Sequence, residues 1–327
     1  MATSTSALLV IVAAVLVALP VSAGHRDVKH PAAAPYRNPW SSFQNLSGCQ
    51  VGQERKGLSK LKEYLCQFGY LPKQTSPSSS SRFNNVFDAQ LEEAIKTYQC
   101  NFNLEVTGEL DECTIDKMMV PRCRNADIIN GTSAMGHSAA AVVHGRNLFT
   151  LFQPSGPWPP SKRSFKYAIN ATSTSIDRAT LSNVLASAFA RWSVATTLSF
   201  TEIATASDAD ITIGFYSGDH GDGEPFNGPT LAHAFAPPDG RLHFDAAEVW
   251  VAGSDVTTAS SPAAVDLESV AVHEIGHLLG LGHTSVEGAI MYPSIPFRTR
   301  NVVLSADDVN GIQSLYGANP NFKGAAP

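Results

Sequence analysis

Between His273 and Met291 the chain reads HEIGHLLGLGHTSVEGAIM, which contains the parts of a metal-assisted hydrolase. On a helix His273 and His277 stand one turn apart on one face, so both imidazoles can reach the same ion. Glu274 then lies beside that ion and stays free to act as a base. Gly280 falls where the helix should stop, because a residue without Cβ turns cheaply into a left-handed cap, and that turn brings His283 back as a third ligand. Three protein ligands leave one position of a four-coordinate ion open to water, the arrangement of a catalytic zinc rather than a closed structural one. A bare H-E-x-x-H also arises on ordinary amphipathic helices. Five fixed positions with an intact Glu274 point instead to a working hydrolytic centre.

Of the ten histidines, three more stand at His220, His233 and His243 in the stretch HGDGEPFNGPTLAHAFAPPDGRLHF, with Asp222 two residues after the first. Three imidazoles and a carboxylate without an adjacent base suit a second, closed tetrahedral zinc site that ties down a long loop. The alternative is three scattered surface histidines. Asp245 and Glu248 offer hard oxygen atoms suited to calcium, or are simply solvated charges.

The elements that must carry these residues follow from periodicity. Residues 45–123 read as a small helical unit, with Gly57-Leu58-Ser59 opening LSKLKEYLCQFGYL and Phe87-Asp88 opening DAQLEEAIKTYQCNFN. Ser76 to Ser81 is a Ser/Pro-rich surface loop between the two helices. Residues 124–160, rich in Ala, Gly, Ser and Pro, read as a linker open to proteolysis. From Ser164 onward FKYAI, LSFTEI and DITIGF are short strands, separated by a helix whose stripe Leu181, Val184, Leu185, Ala188 and Trp192 belongs to a core. A crossover helix between strands favours parallel pairing. The expected fold is therefore α+β: a twisted mixed, mostly parallel sheet with about three helices, preceded by a small helical unit. The metal-bearing helix should start near Val265 and a last one at Ser305, where Asp308 completes an S-x-x-D box.

The first residues belong to targeting. ALLVIVAAVLVALP, followed by Val21, Ser22 and Ala23, has the length and ending of a signal peptide cleaved after Ala23, and it is shorter than the ~20 apolar residues a membrane span needs. The end of the chain carries no hydrophobic tail of the kind that directs a lipid anchor, so a soluble extracellular protein is expected. Sequons at Asn45, Asn130 and Asn170 fit that compartment. A net charge of -6 and a pI near 5.9 give no electrostatic reason to expect nucleic acid. All five cysteines lie within the first 123 residues. Cys49, Cys66, Cys100 and Cys113 can form two disulfides in any of three connectivities, which leaves Cys123 without a partner.

Together these motifs resemble the matrixins, the matrix metalloproteinase family of the metzincin clan, and more closely the short plant form that lacks a hemopexin domain. HEIGHLLGLGH with Met291 eight residues on is similar to the metzincin zinc motif and its Met-turn. HGDGEPFNG, LAHAFAPP, HFDAAEVW and LSADDVNGIQSLYG follow the family's signatures in order, and the likeness runs from about Gly57 to Gly317. PRCRNAD, Pro121 to Asp127, resembles the cysteine switch, in which a prosegment thiolate occupies the open zinc position. Chemically this is sound, since zinc takes thiolate readily and a bound sulfur displaces the attacking water. The resemblance implies that Arg122 and Asp127 pair to hold that segment, with Arg124 standing where the family has glycine. It implies Met291 as an apolar floor under the zinc, His220, Asp222, His233 and His243 as structural-zinc ligands, and Asn227 and Gly228 in a calcium loop that has lost an aspartate and some length.

The resemblance further implies a signal peptide at 1–23 and a propeptide at 24–148, holding a peptidoglycan-binding-like unit at about 45–120 and the switch at 121–127. A zinc protease domain at 149–317 and a tail at 318–327 complete the chain. The expected activity is endopeptidase cleavage of extracellular or cell-wall matrix proteins by a monomeric enzyme made as a latent zymogen, with Glu274 as general base, zinc as cofactor and calcium as a further ion. The LAHAF strand, at a sheet edge, could pair with extended substrate. The S1′ pocket depends on the loop from Pro293 to Val303. The mature N-terminus should fall near Leu148 or Phe149, with Lys162-Arg163 as a competing site. A contrasting expectation is a glycan-binding module that uses the zinc domain only as scaffold.

Overall fold

The computed structural model describes residues 40–73, 83–135, 150–151, 156–226, 228 and 230–324. The signal peptide, the Ser76 to Ser81 loop, Asn227 and the expected mature N-terminus at Leu148 or Phe149 lie outside the described residues.

Three helices build the N-terminal unit: α1 (Leu58–Gln67), α2 (Ala89–Asn101) and α3 (Glu112–Met119). Asp88 and Asp111 cap α2 and α3 by accepting from the Leu91 and Thr114 amides, at 2.9 and 2.8 Å. The sequence reading had missed α3, because two turns are too short for a periodic stripe to stand out. Apolar faces of the three helices close over Phe43, Leu61, Tyr64, Phe68, Ile95 and Tyr98. Tyr292, from the segment that follows the metal motif, is buried in the same cluster against Phe102, with ring centroids 5.8 Å apart.

Residues 124–135 correct part of the expectation of a linker at 124–160, of which 136–149 and 152–155 lie outside the described residues. Residues 124–135 form ordered backbone that includes a small antiparallel pair, β1 (Ile128–Ile129) and β2 (Thr132–Ser133). Polar and short-chain composition misled the reading, since these residues take their hydrogen bonds from neighbouring elements rather than from a periodic one. No disulfide is formed among the described residues: Cys49, Cys66, Cys100 and Cys113 are unbridged, the first two buried and the last two exposed. The expectation of two disulfides is thus not met in this structure.

The larger unit begins with β3 (Ser164–Asn170), α4 (Arg178–Ala195), β4 (Ser199–Glu202) and β5 (Ile211–Tyr216). It continues with β6 (Ala232–Ala234), β7 (Arg241–Asp245), β8 (Val249–Val251), β9 (Ala264–Asp266), α5 (Leu267–Leu278) and α6 (Ala306–Tyr316). Five strands form one sheet in the order β4-β3-β5-β7-β6, with every pairing parallel except that of β6 with β7. The predicted mixed, largely parallel sheet is borne out, and LAHAF supplies its edge strand.

The stripe on α4 packs against α5, and the Trp192 indole N–H donates to the Val272 carbonyl at 2.9 Å. The metal-bearing helix α5 starts two residues later than expected, because the Asp266 carboxylate accepts from the Ser269 amide at 2.8 Å and leaves Val265 in β9. At its other end Gly280 has φ of 98°; its amide donates to His277 and that of Leu281 to Gly276, the two bonds of a Schellman cap. Gly276 allows a second close approach, since a Cβ there would lie 2.2 Å from the Met291 sulfur.

The Ser305–Asp308 capping box is present, and it does more than start α6. The buried Asp308 carboxylate also accepts from the Ile290 and Met291 amides at 2.9 and 3.0 Å, so the last helix fixes the turn under the metal segment. Replacing Asp308 with alanine strands these buried donors. The Asp308→Ala variant should lose about 2–4 kcal/mol of stability, read from the urea midpoint at unchanged m-value.

Candidate metal centres

His273 and His277, on one face of α5, and His283, beyond the Gly280 turn, converge as their spacing predicts. The His277 Nε2 lies 3.1 Å from that of His273 and 3.2 Å from that of His283. Each ring is oriented from behind: the Nδ1 atoms face the Ile290 carbonyl at 2.6 Å, the Leu281 carbonyl at 2.7 Å and the Asp127 carboxylate at 2.9 Å. An imidazole that donates from Nδ1 presents a lone pair at Nε2. Three such lone pairs facing each other repel unless a cation lies between them, so the donor set fits a zinc ion. Burial supports the neutral tautomers, pushing His273 down to about 3 and His277 well below the ordinary histidine value.

Cys123 completes the group, its sulfur 3.6 Å from the His277 Nε2. Burial and then the nearby Glu274 carboxylate push its thiol well up, so a thiolate here requires a positive ion to stabilise it. Glu274 is fully buried, and among the described residues no N–H or hydroxyl donates to either of its oxygens. Burial raises it to about 8. Met291 is buried beneath α5 in the core of the larger unit, against Gly276.

Residues 121–124 lie in the cleft as an extra strand. On one side the Leu231 amide donates to Arg122 and the Arg124 amide to Ala232, a parallel pairing with the β6 edge. On the other the Cys123 amide donates to Pro293 and the Ile295 amide to Pro121, an antiparallel pairing. Arg122 is buried over the Phe68 ring, 3.6 Å from its centroid, and reaches the Asp127 carboxylate at 2.6 Å. Asp127 therefore joins Arg122, the Tyr70 hydroxyl and the Nδ1 of His283. Burial alone would raise this carboxyl; Arg122 and His283 outweigh it and hold it at about 2. Tyr70 and Phe68 carried no signal in the sequence, because their role depends on the N-terminal unit packing against the larger one. Arg124 stands outside the left-handed region, so the backbone does not require glycine there, and its Nε donates to Glu224 at 3.1 Å.

The second group gathers as well. The Asp222 Oδ2 lies 2.8 Å from the Nε2 of His220, the Nε2 of His233 and the Nδ1 of His243. His220 approaches from the loop after β5, His233 from β6 and His243 from the adjacent position on β7. Four ligand atoms within 4.8 Å of one another, with no base beside them, fit a closed tetrahedral ion.

Asp245 is buried and Glu248 half-buried near the end of β7, where desolvation lifts them to about 6 and about 7, Asp245 adding to the shift of Glu248. Among the described residues the Glu248 Oε2 has no hydrogen-bond partner. Gly228 packs where a Cβ would meet the Trp40 ring at 2.5 Å. The three sequon asparagines, Asn45, Asn130 and Asn170, are all exposed. Beside His273 and Glu274 a cavity of about 250 Å³ opens, lined by Val270, Ile290, Ile295, Pro296, Thr299 and Asn301.

Two family models match the chain: Matrixin over residues 157–317 and a putative peptidoglycan binding domain over residues 54–118. Metalloendoproteinase 2-MMP of Arabidopsis thaliana is 49% identical across 87% of this chain and 77% of its own length. Metalloendoproteinase 1 of Glycine max is 44% identical across 88% and 91%, and the neutrophil collagenase of Homo sapiens 36% identical across 83% and 52%. With the converging histidines and this level of identity over most of its length, the chain belongs to the matrixin family and is a zinc metalloendopeptidase.

Proposed function

We propose that this chain is a secreted protease made as a latent zymogen, which, once freed of its prosegment, hydrolyses internal peptide bonds of extracellular proteins with Glu274 as general base. In this reading residues 1–23 are the leader, 24–148 the propeptide, 149–317 the protease domain and 318–327 a tail. The observation that carries the proposal is the pairing of a buried Glu274, which no N–H or hydroxyl approaches, with a prosegment thiol aimed at the same three imidazole lone pairs.

His273, His277 and His283 would hold the zinc, which when bound polarises the scissile carbonyl and acidifies the attacking water. The chain's own residues supply the rest. Glu274, kept basic enough by its apolar surroundings, takes the proton from that water and returns it to the leaving amine. The β6 edge and the 293–295 backbone, which now pair with residues 121–124, would offer the same hydrogen bonds to an extended peptide. Arg122, through Asp127, keeps the occluding strand in place, and Asp127 also orients the His283 ring, so prosegment and metal site support each other.

His220, Asp222, His233 and His243 would hold a structural zinc, and Asp245 and Glu248 a calcium ion together with backbone oxygens. Contact with wall glycan through the N-terminal unit is supported by the family match over residues 54–118.

Replacing Glu274 with alanine should cut kcat/KM on a quenched-fluorescence peptide by about 10²–10⁴-fold while zinc content stays at the wild-type level; activity close to wild type rules out the base role. The Cys123→Ser precursor should cleave the same peptide without prior proteolysis, and a fully latent serine variant would remove the thiol from the latency mechanism.

The calcium assignment makes a pH-dependent prediction. Asp245 and Glu248 hold protons more tightly folded than unfolded, so their contribution to stability is present at low pH and is lost as pH rises through about 6 to 7. Millimolar calcium should therefore raise the thermal midpoint at about pH 8 and have little effect at about pH 5. Glu248→Gln should abolish the difference.

A further inference from the structure

The loop from Pro293 to Val303 forms one side of the cavity beside His273 and Glu274, and its two limbs are held differently. At the first limb the backbone of Pro293 and Ile295 bonds, among the described residues, to the prosegment alone, through the Cys123 amide and the Pro121 carbonyl. Those bonds vanish when the prosegment leaves. The second limb is tied to the protease itself. The Arg298 amide donates to Ala264 at 2.8 Å, the Asn301 amide to the Ser269 hydroxyl at 2.8 Å, and the Asn301 side chain to Gly288 at 3.0 Å.

Arg300 is the centre of this attachment. One guanidinium nitrogen meets both Asp266 oxygens at 3.2 and 3.0 Å, and another meets Glu268 at 2.5 Å. Both carboxylates are buried, and both belong to the start of α5: Asp266 is its N-cap and Glu268 lies in its first turn. Arg191 of α4 reaches the other Glu268 oxygen at 3.0 Å, so the two acids stand in a fixed frame before the loop arrives. A planar fork spanning two oriented carboxylates specifies position in a way a single exposed ion pair does not. The residues on either side of Arg300, Thr299 and Asn301, line the cavity wall.

We propose that Arg300 is a positioning residue for substrate selection: by clamping the second limb to the first turn of the metal-bearing helix it fixes the cavity wall, and so limits the size of the substrate side chain that follows the scissile bond. Arg300 touches no substrate and acts through Thr299 and Asn301. The proposal rests on the endopeptidase reading, in which this cavity takes that side chain.

The test uses the full chain after removal of its prosegment by limited proteolysis, with peptides that differ only in the residue after the scissile bond, Ala, Leu or Trp. Cleavage of this panel by the wild-type enzyme checks the endopeptidase reading separately. In Arg300→Ala the kcat/KM ratio of the Trp to the Ala peptide should rise about fivefold or more, through KM of the Trp peptide, while kcat for the Ala peptide stays within about twofold. Arg300→Lys, which keeps a charge without the fork, should fall between. An unchanged ratio, or an equal loss of kcat on every peptide, overturns the proposal. If the alanine variant is not recovered folded, the lysine variant decides on the same readout: a smaller rise in the ratio supports the clamp, and a wild-type ratio overturns it.

Discussion

Three imidazole nitrogens held lone pair to lone pair, 3.1 to 3.2 Å apart, are the constraint on which the rest of this molecule is arranged. Such a cluster is repulsive by itself, and the fold holds it together from outside. A carbonyl from the Met291 turn, a carbonyl from the helix C-cap and the Asp127 carboxylate each fix one ring from behind. Each of these has its own support. The Met291 turn is held by Asp308 at the start of α6, and the C-cap turn by the positive φ of Gly280 and by Tyr316, whose hydroxyl donates to the Leu279 carbonyl at 2.7 Å. The strain of assembling the cluster is thus distributed through the last helix, the sheet and the N-terminal unit.

The segment 121–124 occupies the cleft by imitating sheet structure. It satisfies the amides and carbonyls of an edge strand that would otherwise stand open, which keeps the cleft occupied by backbone hydrogen bonds as well as by sulfur. Its charged anchor is buried, so its strength comes from packing on Phe68 and from Asp127 rather than from a surface ion pair. The same carboxylate reaching His283 means that one residue holds both Arg122 and the His283 ring. The arginine at position 124, where the family carries glycine, is accommodated because its backbone conformation is ordinary and its side chain finds Glu224 on the loop of the second metal group.

Local pattern was a reliable guide wherever one element carries the information. His273 and His277 share a helical face, Gly280 ends that helix, Ser305 and Asp308 cap the next, and the stripe from Leu181 to Trp192 packs inward, all as periodicity predicts. Errors arose where partners come from elsewhere. The 121–135 segment has no period of its own because its hydrogen bonds lie on β6 and on Pro293 and Ile295. Val265 looked helical by apolar character, yet Asp266 begins the helix, since a carboxylate cap outweighs the propensity of the residue before it.

By itself, then, the order of residues pointed to the two groups of candidate ligands, to Glu274, to Cys123 and to the sheet class, because zinc chemistry and short-range geometry demand particular side chains at particular intervals. Only the tertiary structure decided which carboxylate stands behind His283, that no disulfide joins the remaining cysteines, and how the Arg300 loop meets the first turn of α5. Those contacts join residues 32 to 156 positions apart, and their geometry arises only when packed elements bring the groups together.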